Sequence, residues 1–119
     1  MAHGVQGKTH TGNLDAATAH EVAQTMQALA TPSRVRILGQ LRQSPRAVGE
    51  LAEAVAMERS AVSQQLRVLR HLGLVIGDRS GRSIVYALHD SHVADLLDHA
   101  VFHIERLRLG YAERIKEAS

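Results

Sequence analysis

A chain of 119 residues is long enough for one ordinary domain and too short for two. Apolar residues make up 45%, enough for a buried core, and the absence of Cys excludes disulfides, thiolate metal sites and cysteine nucleophiles. Trp is absent and aromatics are 3%, which argues against a base-stacking platform for single-stranded nucleic acid; a formal net charge of +2 makes the placement of charges matter more than their sum.

Residues 1–13 carry three Gly and little that is apolar, so a flexible arm is expected there. A helical rhythm begins at Leu14, with Leu14, Val22, Met26 and Leu29 on one face. Thr31-Pro32-Ser33 breaks it. Thr31 suits the cap of a second helix and Pro32 its first position, and Val35, Ile37, Leu38 and Leu41 continue it. After Gln43-Ser44-Pro45, a short third helix is expected from Val48, Leu51, Ala52 and Val55. Met57-Glu58-Arg59 reads as a tight turn, and Glu58 or Ser60 opens a fourth helix with Val62, Leu66 and Leu69 inward. Gly73 is a natural stop. The period then changes to two. Leu74 and Ile76 alternate, as do Ile84, Tyr86 and Leu88, around a polar Asp78–Arg82 loop, which signals a β-hairpin. A last helix is expected from about Ser91 to at least Leu109, with Val93, Leu96, Leu97, Ala100, Ile104 and Leu107 as its apolar side and residues 110–119 as a tail. No run approaches the roughly 18 apolar residues of a membrane span, and none resembles a signal peptide, so a cytoplasmic protein without a membrane partner is expected.

Two short helices joined by a tight turn and followed by a hairpin describe a mainly α, winged helix-turn-helix domain over residues 14–109. Such a domain places its second helix in the major groove of double-stranded DNA. Ser60, Ser63, Gln64 and Arg67 fall opposite the inward face of that helix, and they are the residue types that bond base edges and phosphates. Five Arg (59, 67, 70, 79 and 82) stand against one acid, Asp78, between Arg59 and Arg82. Arg79 and Arg82, at the wing, are placed to reach the DNA backbone or a minor groove.

Histidine is the odd component, with 8 residues. Four of them, His89, His92, His99 and His103, crowd into one stretch together with Asp90, Asp95 and Asp98. Imidazole with carboxylate suits Zn(II), Ni(II) or Co(II). On a helix, His92 and His103 return to one face but stand about 16 Å apart along it. One helix therefore cannot offer both to one ion. An antiparallel copy across a twofold axis can, bringing Asp90 and His92 of one subunit to His103 of the other. His99, near the same face, is a second candidate ligand or merely an interface residue.

Four segments carry a resemblance to a known family. They are Ala30-Thr31-Pro32-Ser33-Arg34, Glu50-Leu51-Ala52, the run Ser60–Leu69, and Gly81-Arg82-Ser83-Ile84-Val85-Tyr86. Over Ala28–Leu109 the chain resembles the ArsR/SmtB metal-sensing repressors, and as a whole it is similar to their mycobacterial nickel/cobalt type. The resemblance implies a homodimer that binds an operator without metal and releases it on binding metal. Some members bind metal on the last helix through Asp-x-His of one subunit and His-x-x-His of the other. Asp90-Ser91-His92 matches the first pair and His103 the third ligand; the fourth position is Arg106, and Arg108 stands where the nickel/cobalt type has a further His. Replacement donors are the Ala2 amine with the His3 imidazole after removal of Met1, and Glu105 or His99. Water completing a three-ligand site is the remaining option.

The competing reading is a winged-helix regulator that senses no metal. An enzyme is disfavoured, because the chain has no nucleophile elbow, no His-Glu-x-x-His and no glycine-rich phosphate loop. Architectural nucleoid proteins carry far more positive charge.

Overall fold

The computed structural model describes residues 13–118. Helix α1 (Ala16–Ala28) opens on Asp15, whose carboxylate accepts from the Thr18 N–H at 2.7 Å. That places the start two residues after Leu14, because Asp15 satisfies an orphan N–H that Leu14 cannot. Helix α2 (Pro32–Gln43) begins at Pro32 as the sequence predicts, although the Thr31 side chain makes no capping bond. Strand β1 (Arg46–Ala47) follows, and then α3 (Val48–Val55), whose first turn is held by Glu50 accepting from the Ala47 N–H at 2.9 Å.

The turn from α3 to α4 (Arg59–His71) passes through Ala56 at φ 55°, left-handed backbone that is costly for any residue with a β-carbon. The Met57 N–H then bonds the Ala52 carbonyl at 2.9 Å and closes α3. Helix α4 ends at Gly73, φ 75°, with Gly73 N–H on the Arg70 carbonyl and Leu74 N–H on the Leu69 carbonyl. That bond pair is a Schellman motif.

Strands β2 (Val75–Ser80) and β3 (Ser83–Leu88) form the hairpin, and β1 adds to the far edge of β3, giving the order β1-β3-β2. The expected Asp78–Arg82 loop is shorter than the sequence suggests. Asp78, Arg79 and Ser80 belong to β2, and Ser80 pairs with Ser83, leaving Gly81 and Arg82 as a two-residue turn with Gly81 at φ 63°. The alternation is also shifted by one residue. Leu74 belongs to the helix stop, so Val75 points into the core and Ile76 is exposed.

The core joins Ile37, Leu38 and Leu41 of α2, Leu51, Ala52 and Val55 of α3, Val62, Leu66 and Leu69 of α4, Leu74 and Val75, and Val93 and Leu97. Helix α5 (Ser91–Ala118) runs unbroken through the stretch expected to be a tail. At about 1.5 Å per residue it is about 42 Å long. Only its first two turns are anchored: beyond Leu97, no described side chain of α5 is buried. Val101, Phe102, Ile104, Leu107, Leu109, Tyr111 and Ile115 stay exposed, as do Leu14, Val22 and Met26 in and before α1. Of the apolar faces expected on these two helices, Val93 and Leu97 are covered by the core, while Leu14, Val22, Met26, Ile104 and Leu107 are not covered within one chain. No helix among the described residues is long and apolar enough to cross a membrane.

Candidate functional site

The first candidate surface lies between α4 and the wing. Val62, Leu66 and Leu69 are buried, which fixes the rotation of α4 and turns Ser60, Gln64 and Arg67 to solvent, with Ser63 half-buried. A groove of about 630 Å³ runs beside it, lined in part by Gly49, Glu50, Glu53, Arg59, Ser63, Arg82 and Tyr86. Arg59, Ser63 and Arg82 thus share one wall system. Ser60 lines an adjoining depression with Arg59, while Arg79, exposed on β2, does not line the groove.

Two features of this groove have no signal in the sequence. The Arg59 guanidinium folds across α3: a β-carbon at Gly49 would stand 2.7 Å from Arg59 Nη2. The residues around Arg59 give no sign that Gly49, ten positions earlier, is its seat. Glu50 and Glu53 place two carboxylates on the α3 wall, so the groove is mixed in charge rather than uniformly basic. In the wing, Tyr86 packs on Gly77, where a β-carbon would meet the ring at 3.0 Å.

The second candidate surface is the start of α5. Asp90 is its N-cap. Asp90 Oδ1 accepts from the His92 N–H at 2.9 Å and the Val93 N–H at 3.2 Å, and Oδ2 lies 3.0 Å from His89 Nδ1. The His89 hydrogen bond, aided by the two backbone donors and by the His92 ring, holds the Asp90 carboxyl below its ordinary range. His92 Nδ1 is 3.6 Å from Asp90 Oδ1, and the ring is 90% exposed. His89, Asp90 and His92 therefore form an open cluster at the protein surface, with each ring nitrogen on a different oxygen of Asp90. His103 lies eleven residues along the same unbroken helix, exposed, and about 16 Å from His92 along the axis. His99 and Glu105 are exposed on that helix too. Among the described residues of one chain, no three His, Asp or Glu side chains gather closely enough to hold an ion. Ala2 and His3 lie outside the described residues.

Asp98 has a role that the sequence does not announce. Its carboxylate meets the Arg42 guanidinium side-on, with Arg42 Nε to Oδ1 at 3.2 Å and Nη2 to Oδ2 at 3.0 Å. The Arg42 hydrogen bond holds Asp98 below the usual carboxylate range. Nothing in the local pattern around either residue points to a partner 56 positions away.

A helix pair whose second member faces outward beside a two-stranded wing defines a winged helix-turn-helix protein. Residues 31–76 match the bacterial regulatory protein, arsR family. The HTH-type transcriptional regulator NmtR of Mycobacterium tuberculosis is 61% identical over 115 residues, covering 96% of each chain. The chain belongs to the arsR family, a family of regulatory proteins and not of enzymes. The solution structure of apo-NmtR superposes with a TM-score of 0.68 at 61% identity, over 88% of this chain and 89% of that one. A homodimeric winged helix-turn-helix DNA-binding domain from Mycobacterium bovis superposes at 0.73 with 31% identity, over 82% and 91%.

Proposed function

We propose that this protein is a metal-responsive transcriptional repressor that acts as a homodimer on operator DNA. Helix α4 presents Ser60, Ser63, Gln64 and Arg67 to the major groove, and Arg79 and Arg82 of the wing reach the backbone. The apolar faces of α1 and α5, uncovered in one chain, bury against a second copy. One similar protein is described as homodimeric and DNA-binding, and another as having an apo state.

The observation that carries the sensing half is the layout of α5. Asp90 and His92 stand at its anchored end, and His103 stands on its overhanging part beside an uncovered apolar stripe. With two copies antiparallel, Asp90 and His92 meet His103 of the partner subunit, twice per dimer. A carboxylate with imidazoles suits Ni(II) or Co(II), and Zn(II) as the alternative. Arg106 offers no donor, so Ala2 with His3, His99 or Glu105 supplies what remains. The metal contributes a cross-link between two helices; the chain contributes the coupling of that cross-link to the spacing of its two α4 helices, and so operator release.

The test is titration of the full-length protein with Ni(II), Co(II) and Zn(II), followed by ligand-field absorption and by operator binding. About one ion per subunit and weakened operator binding are expected. A specific observation favours a second reading, a regulator of the same fold that senses no metal. Both oxygens of Asp90 are already engaged, by the first turn of α5 and by His89. Under that reading none of the three metals alters operator affinity.

A further inference from the structure

Helix α2 is held by a polar grip at each end. At its C-terminal turn, Arg42 takes the Asp98 carboxylate of α5 through two hydrogen bonds, at 3.0 and 3.2 Å. One turn before Asp98, Asp95 adds attraction to the same guanidinium. At the N-terminal turn of α2, Arg34 Nε donates to the Gln65 side chain of α4 at 2.6 Å in a half-buried position. The two arginines are eight residues apart on one straight element, about 12 Å. Between them, Ile37, Leu38 and Leu41 are buried in the core.

These grips differ in kind from the packing between them. Apolar burial is non-directional. A side-on guanidinium–carboxylate pair fixes orientation as well as distance. Asp98 also stands where α5 leaves the body, one residue after Leu97, the last buried side chain described on that helix. Gln65 sits between Gln64 and Leu66, so it joins the outward and inward faces of α4.

We propose that α2 relays the position of α5 to α4, gripped by Asp98–Arg42 at one end and by Arg34–Gln65 at the other, so that Arg42, Asp98, Arg34 and Gln65 are positioning residues for the metal response. This rests on the sensing reading above. The surface pair contributes little to stability, since exposed ion pairs generally do. Its removal therefore uncouples the two helices without unfolding either.

The experiment uses full-length protein and a labelled duplex selected from a random-sequence pool by the metal-free protein. Duplex affinity is measured with and without NiCl₂ or CoCl₂ for wild type, Asp98→Ala, Gln65→Met and the charge-reversed pair Arg42→Asp/Asp98→Arg. Each single variant should retain the metal-free affinity and the metal stoichiometry. The metal-induced loss of affinity should shrink by about 2- to 30-fold in each. The charge-reversed pair should recover most of the wild-type response; a merely structural role for Asp98 would instead lower the metal-free affinity or the stoichiometry of the single variant. A wild type that responds to metal while Asp98→Ala and Gln65→Met respond equally overturns the relay and leaves the sensing reading standing. A wild type indifferent to metal overturns both.

Discussion

Arg59 lies across Gly49, with its guanidinium occupying the space that any side chain at residue 49 would need. The displaced atoms would be the tip of a flexible side chain, so the fold absorbs a methyl group there, and Ala is the better helix former by about 1 kcal/mol. Gly49→Ala should therefore leave stability unchanged or slightly raised while it swings Arg59 out of the groove. Duplex binding should weaken several-fold, and its salt slope should fall by about 1 if Arg59 contacts a phosphate. Fluorescence anisotropy at several salt concentrations checks this. Unaltered affinity would remove Arg59 from the interface.

Arg67→Ala and Arg82→Ala should each weaken binding and lower the salt slope by about 0.9 for every phosphate that the missing guanidinium neutralised. The two need not be alike across sequences. An Arg67 on a base edge would relax preference at one position, by about 1–3 kcal/mol, whereas an Arg82 on the backbone would weaken all duplexes equally. Selection on a randomised site separates these outcomes; an unchanged slope in both variants would place neither at the phosphates.

Ala56 pays for a left-handed backbone with a β-carbon it does not use. Ala56→Gly should stabilise the protein by roughly 0.5–1 kcal/mol, net of the entropy that Gly adds to the unfolded chain. Urea unfolding at fixed protein concentration measures it. A destabilised variant would mean that the turn relaxes in solution.

His92→Ala and His103→Ala should each abolish metal-dependent release and leave metal-free binding intact, because both rings are exposed and neither supports the core. Asp90 is different. Asp90→Asn keeps a capping oxygen and removes the charge, whereas Asp90→Ala also costs about 1 kcal/mol of helix capping. Loss of metal binding in Asp90→Asn with normal unfolding would assign the carboxylate to the ion. Normal metal binding there would restrict it to the cap.

Asp15 and Asp98 both hold a carboxyl below its ordinary value of 3.8, Asp15 through the Thr18 backbone N–H and Asp98 through Arg42. A depressed folded value means that the unfolded chain binds protons more readily. The stabilisation is therefore complete above about pH 4 and is lost as pH falls through the folded values. The urea midpoint should drop between pH 6 and pH 3, and, because both carboxyls are exposed and solvent-screened, only slightly less so in Asp15→Asn/Asp98→Asn. An equal drop in that variant would assign acid sensitivity to other groups.

Local chemistry made most of this molecule legible. Pro32 at the head of α2 and Gly73 at the foot of α4 are read from single residues, because each meets a backbone requirement that few others meet. The α4 face was readable because Val62, Leu66 and Leu69 commit one side to the core. Strand β1 was not, since two residues carry no period; its existence depends on the pairing of Arg46 with Tyr86. For the same reason the hairpin turn looked longer than it is: Asp78 and Arg79 are poor strand formers in isolation and become strand through their partners Val85 and Ile84. The α5 histidines were visible as a cluster, and the capping bonds of Asp90 to the N–H groups two and three residues on are a local pattern, whereas the Arg42–Asp98 pair, 56 positions apart, is a long-range fact that no spacing encodes.

Helix α5 is fastened at its base and, beyond the grip of Arg42 on Asp98, buries no further described side chain within the chain. From Leu97 to Ile115 it reaches about 27 Å, so a rotation of about 10° at the base carries the tip through about 5 Å. Leverage also runs in reverse: a partner that clamps the outer portion swings the body by a comparable amount. A few ångströms is a sizeable error against the roughly 34 Å repeat of a DNA turn. Long reach and short purchase make this helix an amplifier of small local displacements.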